Sequence, residues 1–250
     1  MAWSKIHFYY AHSLSGLVAT TEDANYPVSN ILDRLDGTLY KGTSTATHYI
    51  TYDAGSGNTY TADYYALGGD NLAGATVVLQ YSTDNFSGDI NDAFTPFVRS
   101  GSDPVVKEFT SQAKRYWRIK LTGLSVAPQI ALSHWGPRTE LDYADISHDP
   151  HAEEFKGNMN VSETGYLTGV HEKYYERQIN IGFSSAEDAL YQKIRTWWLA
   201  IGMRCFFMAW EKTDHSADIW IVRPAPGRFK NPLTMGGAYR DINITLLGRK

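Results

Sequence analysis

The densest group of residues able to hold a metal or move a proton is the run "SHDPHAEE", 147–154, which gathers His148, Asp149, His151, Glu153 and Glu154. Imidazole and carboxylate so close together could bind a transition metal. The run lies in a polar hinge without fixed geometry, so no metal site is assigned to it. Nucleophilic chemistry fares no better. The chain has no Gly-x-Ser-x-Gly elbow, and neither a phosphate-cradling P-loop nor a dinucleotide fingerprint. His171-Glu172 lacks the second histidine of a zinc-protease helix. Carboxylate pairs for glycoside hydrolysis are matched in space rather than in sequence, and nothing nominates a pair. The one cysteine, Cys205, sits in the apolar run "MRCFFMAW" and reads as a small buried hydrophobe. The expectation is a protein that binds or assembles rather than catalyses, with no cofactor.

Binding chemistry is better represented. The 250 residues include 17 Tyr and 7 Trp, with 23 basic against 27 acidic side chains. A formal charge of −4 creates no field that would draw nucleic acid or an anionic membrane, and no apolar run is long enough to span a bilayer. Aromatics suit pleated cores, sugar-stacking faces and subunit interfaces alike. Three polar loops carry a ring beside amide, carboxylate or amine groups: Asn25-Tyr26, Leu39-Tyr40-Lys41 and Asn85-Phe86. Ring stacking combined with hydroxyl recognition needs such a mixture. The same loops serve equally as protein contacts. Arg118, between Trp117 and Ile119 on an alternating run, should face away from Trp117. Its two uses, ligand contact and structural ion pair, both stay open.

The elements that must position these residues fall into two halves. From about Ile6 to Gly136, short alternating runs such as "HYITYD", "ATVVLQYSTD" and "RYWRIKLTGL" recur between Gly, Asn, Asp and Ser, the pattern of an antiparallel sandwich. The N-terminal stretch "MAWSKIHFYYAHSLSG" reads as a first strand rather than a secretory leader, since His7 and His12 interrupt the apolar residues. The boundaries are 1–138 for the sandwich, 139–153 for a linker and 154–250 for a second unit. That unit is α+β with one helix at about 185–201. Leu190, Ile194, Trp197 and Ile201 fall on one helical face, Ser184 with Glu187 or Ser185 with Asp188 fits a capping box, and Gly202 supplies a stop. Overall the fold class is mainly β.

The first half resembles the discoidin-like, galactose-binding-like jelly rolls. The residues that carry the likeness are "NYPVSNILDRLDGTLYKGTSTATHYITYDAG" (25–55), with Leu35-Asp36-Gly37 and Tyr52-Asp53-Ala54-Gly55 at the family's loop and strand-end positions. "VVLQYSTDNFSG" (77–88) and "KRYWRIKLTG" (114–123) follow in the expected order. The resemblance implies a glycan-binding module with Tyr26, Tyr40, Lys41, Phe86 and Arg118 as ligand contacts. It also implies loops that could hold Ca²⁺ through Asp36 or Asp53.

The second half resembles the domain reused in tailed-phage tail tubes, distal tail proteins and hubs. Here "AEDALYQKIRTWWLAIG", "CFFMAWE" and "GAYRDINITLLGR" carry the likeness, and "VRPAPGRFKNPLTMGG" (222–237) looks like an arm extended onto a neighbour. The resemblance implies a ring-forming tail-tip component, hexameric in preference to trimeric. It would be assembled in the host cytoplasm into a virion, beside other tail proteins and facing host surface glycan. Trp198, Arg223, Arg228, Phe229 and Lys230 are the interface candidates. One helix face cannot bury both Trp197 and Trp198, so either one faces a partner or a large sheet covers both; the cations of the loop form either a basic rim for an acidic neighbour or a solvated loop. The alternative is a stand-alone carbohydrate-binding protein with a C-terminal oligomerisation domain.

Overall fold

In a computed structural model, residues 4–10, 15–145, 148–227 and 229–249 are described. In chain order the strands are β1 (His7–Tyr9), β2 (Val18–Ala19), β3 (Tyr40–Lys41), β4 (His48–Asp53), β5 (Tyr60–Asp70) and β6 (Thr76–Ser82). Then come β7 (Asn91–Asp92), β8 (Phe97–Val98), β9 (Val105–Lys114), β10 (Tyr116–Thr122), β11 (Gln129–Gly136) and β12 (Thr139–Glu140). The remainder comprises β13 (Glu153–Val161), β14 (Leu167–Ala186), helix α1 (Asp188–Ile201), β15 (Phe206–Ala209), β16 (Ile219–Pro224), β17 (Leu233–Thr234) and β18 (Tyr239–Arg249).

Among the described residues these strands form three antiparallel sheets. An outer sheet, β2-β4-β10-β6-β7 with β8 on β6, faces an inner sheet, β3-β11-β5-β9, as the two leaves of a sandwich. Period-two alternation builds the space between them. Ile50, Leu79, Trp117, Ile119 and Leu121 from the outer leaf meet Tyr65, Leu67, Ile130 and Trp135 from the inner leaf, all fully buried. The third sheet, β12-β1-β15-β16-β18-β14-β13, carries the C-terminal half.

That third sheet is not tethered loosely to the sandwich. The outward face of β5 and β11 (Tyr64, Ala66, Leu132) packs against Tyr9, Phe207, Ala209 and Ile221. At Gly68 a Cβ would lie 2.9 Å from Ile221 and 3.1 Å from Phe207, so only glycine lets the layers approach this closely. Glu108 on β9 ties the same seam with polar groups. It accepts hydrogen bonds from Tyr9 Oη at 2.5 Å and His7 Nδ1 at 2.8 Å, and pairs with Arg138 at 3.3 Å. The opposite face of the third sheet is covered by α1, so the molecule is four layers deep.

Several expectations are corrected here. Strand β1 belongs by its hydrogen bonds to the C-terminal sheet, between β12 and β15, rather than to the sandwich. In the expected linker, β12 pairs with β1, and the Asp145 N–H bonds to Gly182 O at 2.9 Å. The helix has the expected buried face, Leu190, Ile194, Trp197 and Ile201, and Gly202 ends it at φ 58°. The capping box does not form. Glu187 precedes the helix without a side-chain cap, while Ser184 Oγ donates to Asp145 and the Ser185 N–H to Asp241. No described helix is long and apolar enough to cross a membrane.

Candidate functional site

Strand β10 places Trp117 inward and Arg118 outward, as its alternation requires. Across the outer sheet Arg118 is registered with Thr51 on β4 and Gln80 on β6. Its Nε donates to Gln80 Oε1 at 2.8 Å, and Gln80 Nε2 in turn donates to Asp92 Oδ1 at 2.6 Å. The acceptor is therefore itself fixed. Two rings close on the guanidinium: Tyr49 at 4.5 Å and Phe86 at 4.0 Å from its carbon. Among the described residues no acceptor engages its terminal amino groups. Partial burial pulls the Arg118 pKa below its usual value, while leaving it far above neutrality.

Phe86 reaches Arg118 through an unusual turn. Asn85 and Phe86 are both left-handed, at φ 60° and 62°. That is ordinary for Asn and a real outlier for a bulky aromatic residue, costing roughly 1–3 kcal/mol. Carboxylates and a hydroxyl hold the loop in this shape. Asp84 accepts from the N–H groups of Ser87, Gly88 and Asp89, Asp89 accepts from Thr83, and Ser82 Oγ accepts from the Phe86 N–H at 2.9 Å. These bonds depress the pKa values of both Asp84 and Asp89, led by the side-chain bonds from Ser82 and Thr83 respectively. The loop is thus braced to present one ring.

Tyr26 and Lys41, which stand on separate loops in the sequence, meet in the fold. Lys41 Nζ lies 3.7 Å over the Tyr26 ring, and the strand-like bond from Lys41 N to Tyr26 O holds the two segments together. Tyr40 is corrected. It is fully buried, donates to Thr21 O and bonds His48, so it is a core residue with no face for a ligand. The two carboxylates that the resemblance offers to Ca²⁺, Asp53 and Asp36, are engaged by arginines. Asp53 takes a bidentate pair from Arg115 at 2.7 and 2.8 Å and caps the Gly55 N–H, while Asp36 pairs with Arg249 at 2.8 Å. Among the described residues, no group of three or more His, Cys, Asp or Glu side chains is placed to hold a metal ion.

The expected interface residues are largely occupied within the chain. Trp198 is half-buried and stacked on Phe229, ring centroids 5.0 Å apart and 14° from parallel, and Phe229 also overlies Tyr191. The arm at 222–237 folds back, since β17 pairs with β18 of its own chain. Arg223 pairs with Glu176 at 3.1 Å and, with Asp36, Tyr174, Cys205 and Arg249, lines a cavity of about 430 Å³ beside the sandwich. Cys205 is buried there, its thiol pushed up to about 11 by burial. Lys230 is exposed, and Arg228 lies outside the described residues.

Two features escaped the sequence reading. Tyr49 and Gln80 complete the Arg118 group, and only the cross-strand register, invisible in one segment, brings them there. The hairpin β13–β14 stands clear of the body with apolar side chains uncovered. The alternation Phe155, Gly157, Met159, Val161 was the available signal for it.

No family model matches this chain, and no curated protein does either. Solved structures match about half of it. Chitosan-binding module 1 from a chitosanase/glucanase of Paenibacillus sp. IK-5 is 17% identical over 52% of this chain and 98% of its own, with a TM-score of 0.43. A pectin-binding carbohydrate-binding module is 11% identical over 51% and 93%, TM-score 0.41. A Clostridium perfringens CBM32 module solved with GalNAc-β-1,3-galactose is 13% identical over 49% and 94%, TM-score 0.40. No site residue is transferred from these modules.

Proposed function

We propose that this chain is a carbohydrate-binding protein that holds a hydroxyl-rich oligosaccharide on the outer sheet of its sandwich, at Arg118. The observation that carries the reading is the guanidinium clamped between Tyr49 and Phe86, with Nε fixed through Gln80 to Asp92. An arginine held this way keeps its remaining N–H groups in a defined plane, where they can donate to a pair of adjacent sugar hydroxyls. The exposed edges of the two rings border that plane and shelter the C–H face of a sugar. The reading is binding without turnover: the carboxylates nearest the arginine, Asp92, Asp84 and Asp89, are engaged in hydrogen bonds that shape the site.

A glycan microarray probed with the purified chain tests the reading. Binding to a defined set of oligosaccharides is expected, falling at least tenfold in Arg118→Ala, with no reducing ends released on incubation. Undiminished binding in Arg118→Ala would refute it. A second reading, a ring-forming component of a tailed-phage particle, is favoured by one observation, the projecting β13–β14 hairpin. Electron microscopy of the purified chain tests it: closed rings are expected, and a field of single molecules would sink it.

A further inference from the structure

Strand β14 is 20 residues long, and only its second half is covered. From Arg177 onward it pairs with β18, which joins it to the rest of the third sheet, and Ile179, Ile181 and Phe183 are buried beneath α1. Before Arg177 its partner is β13 alone, and the two strands form a ribbon exposed on both faces. Residues paired across an antiparallel ladder share a face. The register, which shifts at Lys156/Gly157 and at Asn160/Val161, sorts the ribbon. Phe155 with Tyr175, Gly157 with Glu172, Met159 with Val170 and Val161 with Leu167 occupy one face, while Lys156 with Tyr174 and Asn158 with His171 occupy the other. The Phe155 and Tyr175 rings touch edge to face at 4.9 Å. By alternation from Tyr175 through Arg177 to Ile179, the apolar stripe continues the face that α1 covers further along the strand. Over the ribbon, Tyr175 borders the cavity beside the sandwich, and the stripe beyond it is exposed. Met159 is 72% exposed, Tyr175 66%, and Tyr166 at the tip 74%.

We propose that this stripe is buried against another copy of the same chain. A two-stranded ribbon is marginal alone and needs a further layer. Its apolar side chains expose on the order of 700 Å², close to the ~800 Å² that each partner contributes to a standard interface. A lipid surface fits the charges poorly. Glu172, paired with Gly157, stands on the stripe's own face, and Glu163 lies in the turn at its tip; carboxylates so placed are repelled by anionic headgroups. In the middle of the stripe Gly157 stands opposite Glu172. A Cβ there would stand 2.6 Å from the His171 carbonyl, so the ribbon depends on that glycine. The contact lies beyond the sugar-binding reading and does not depend on it. A chain that binds sugar as a monomer, or assembles without binding sugar, would separate the two.

The test is light scattering across the micromolar range on the full chain, with the wild type and two variants. The wild type is expected at a mass at least twice the 28.1 kDa of one chain. The double variant Met159→Lys/Val170→Lys is expected to be monomeric, or to have its dissociation constant raised at least tenfold. Asn158→Lys, on the polar face of the same ribbon, should assemble like the wild type, and all variants should melt at the wild-type temperature when dilute. A monomeric wild type overturns the proposal. So does equal assembly of the double variant, or loss of assembly in Asn158→Lys. Sedimentation of a monomeric wild type with phosphatidylcholine–phosphatidylglycerol vesicles would also overturn it, in favour of a lipid surface.

Discussion

The outer sheet around Arg118 and the ribbon β13–β14 both put aromatic rings into solvent, and they do so in opposite ways. At Arg118 the rings are held: Phe86 by a loop braced through Asp84, Asp89 and Ser82, Tyr49 by the strand register, and both by the guanidinium between them. On the ribbon, Phe155 and Tyr175 touch each other and lead into an aliphatic stripe whose one polar side chain, Glu172, lies beyond the rings. The first arrangement is directional and suits a small polar ligand. The second is non-directional and suits a large apolar partner. Exposed aromatic area alone would not have told them apart. What separates them is whether a fixed polar group stands among the rings.

The contrast needs a rigid body that carries both surfaces, and the hardest way to break it is to break the seam. Phe207 is fully buried between the sandwich and the third sheet, 5.2 Å from the His134 ring. Phe207→Ala should cost about 3–5 kcal/mol in denaturant unfolding. A loss under about 1 kcal/mol would mean that the layers are not welded. The polar side of the seam gives a pH signature. Burial alone would raise the Glu108 carboxyl, but hydrogen bonds from His7 and Tyr9, with the charges of His7 and Arg138, outweigh it and hold the pKa at about 2. A depressed carboxylate adds stability that is complete above its ordinary value of 4.5 and is lost as pH falls toward 2. Melting temperature should therefore fall over that window, and Glu108→Gln should flatten the fall. An unchanged acid limb in the variant would remove Glu108 from the account.

Smaller effects should separate the two surfaces. Arg118→Ala should weaken glycan binding at least tenfold, about 1.4 kcal/mol, and leave the assembly state untouched. If calorimetry and light scattering moved together in this variant, the surfaces would not be independent. The smallest effect concerns Phe86. Phe86→Gly relieves the left-handed strain and forfeits a cation–π contact of about 0.5–1 kcal/mol, so stability should stay within about 1 kcal/mol of wild type while sugar binding falls. A large stability loss would assign Phe86 to the core.

Much of this was legible in the sequence wherever the signal was local. The face of α1 followed from Leu190, Ile194, Trp197 and Ile201, and the outward turn of Arg118 from the alternation around Trp117. Tyr40 misled because its strand has two residues, too short for alternation to reveal which side is buried. Strand β1 carries no local mark of a partner about 200 residues away. The fate of the 222–237 arm turned on a two-residue pairing, Leu233 and Thr234 with Arg240 and Tyr239, which proline and glycine content does not announce. The ribbon was readable as strands but not as bare, since the covering of a face depends on where the helix stops.

The claim that Arg118 is the sugar-binding group is tested most directly by the side-chain Nε–Hε resonance of Arg118, followed by NMR during titration with an oligosaccharide selected on the array. Saturable movement of that resonance, with the amides of residues 155–175 unmoved, is the predicted result. Saturable shifts clustered instead around Arg223, Arg249 and Tyr174, with Arg118 still, would place the sugar in the cavity beside the sandwich and contradict the account.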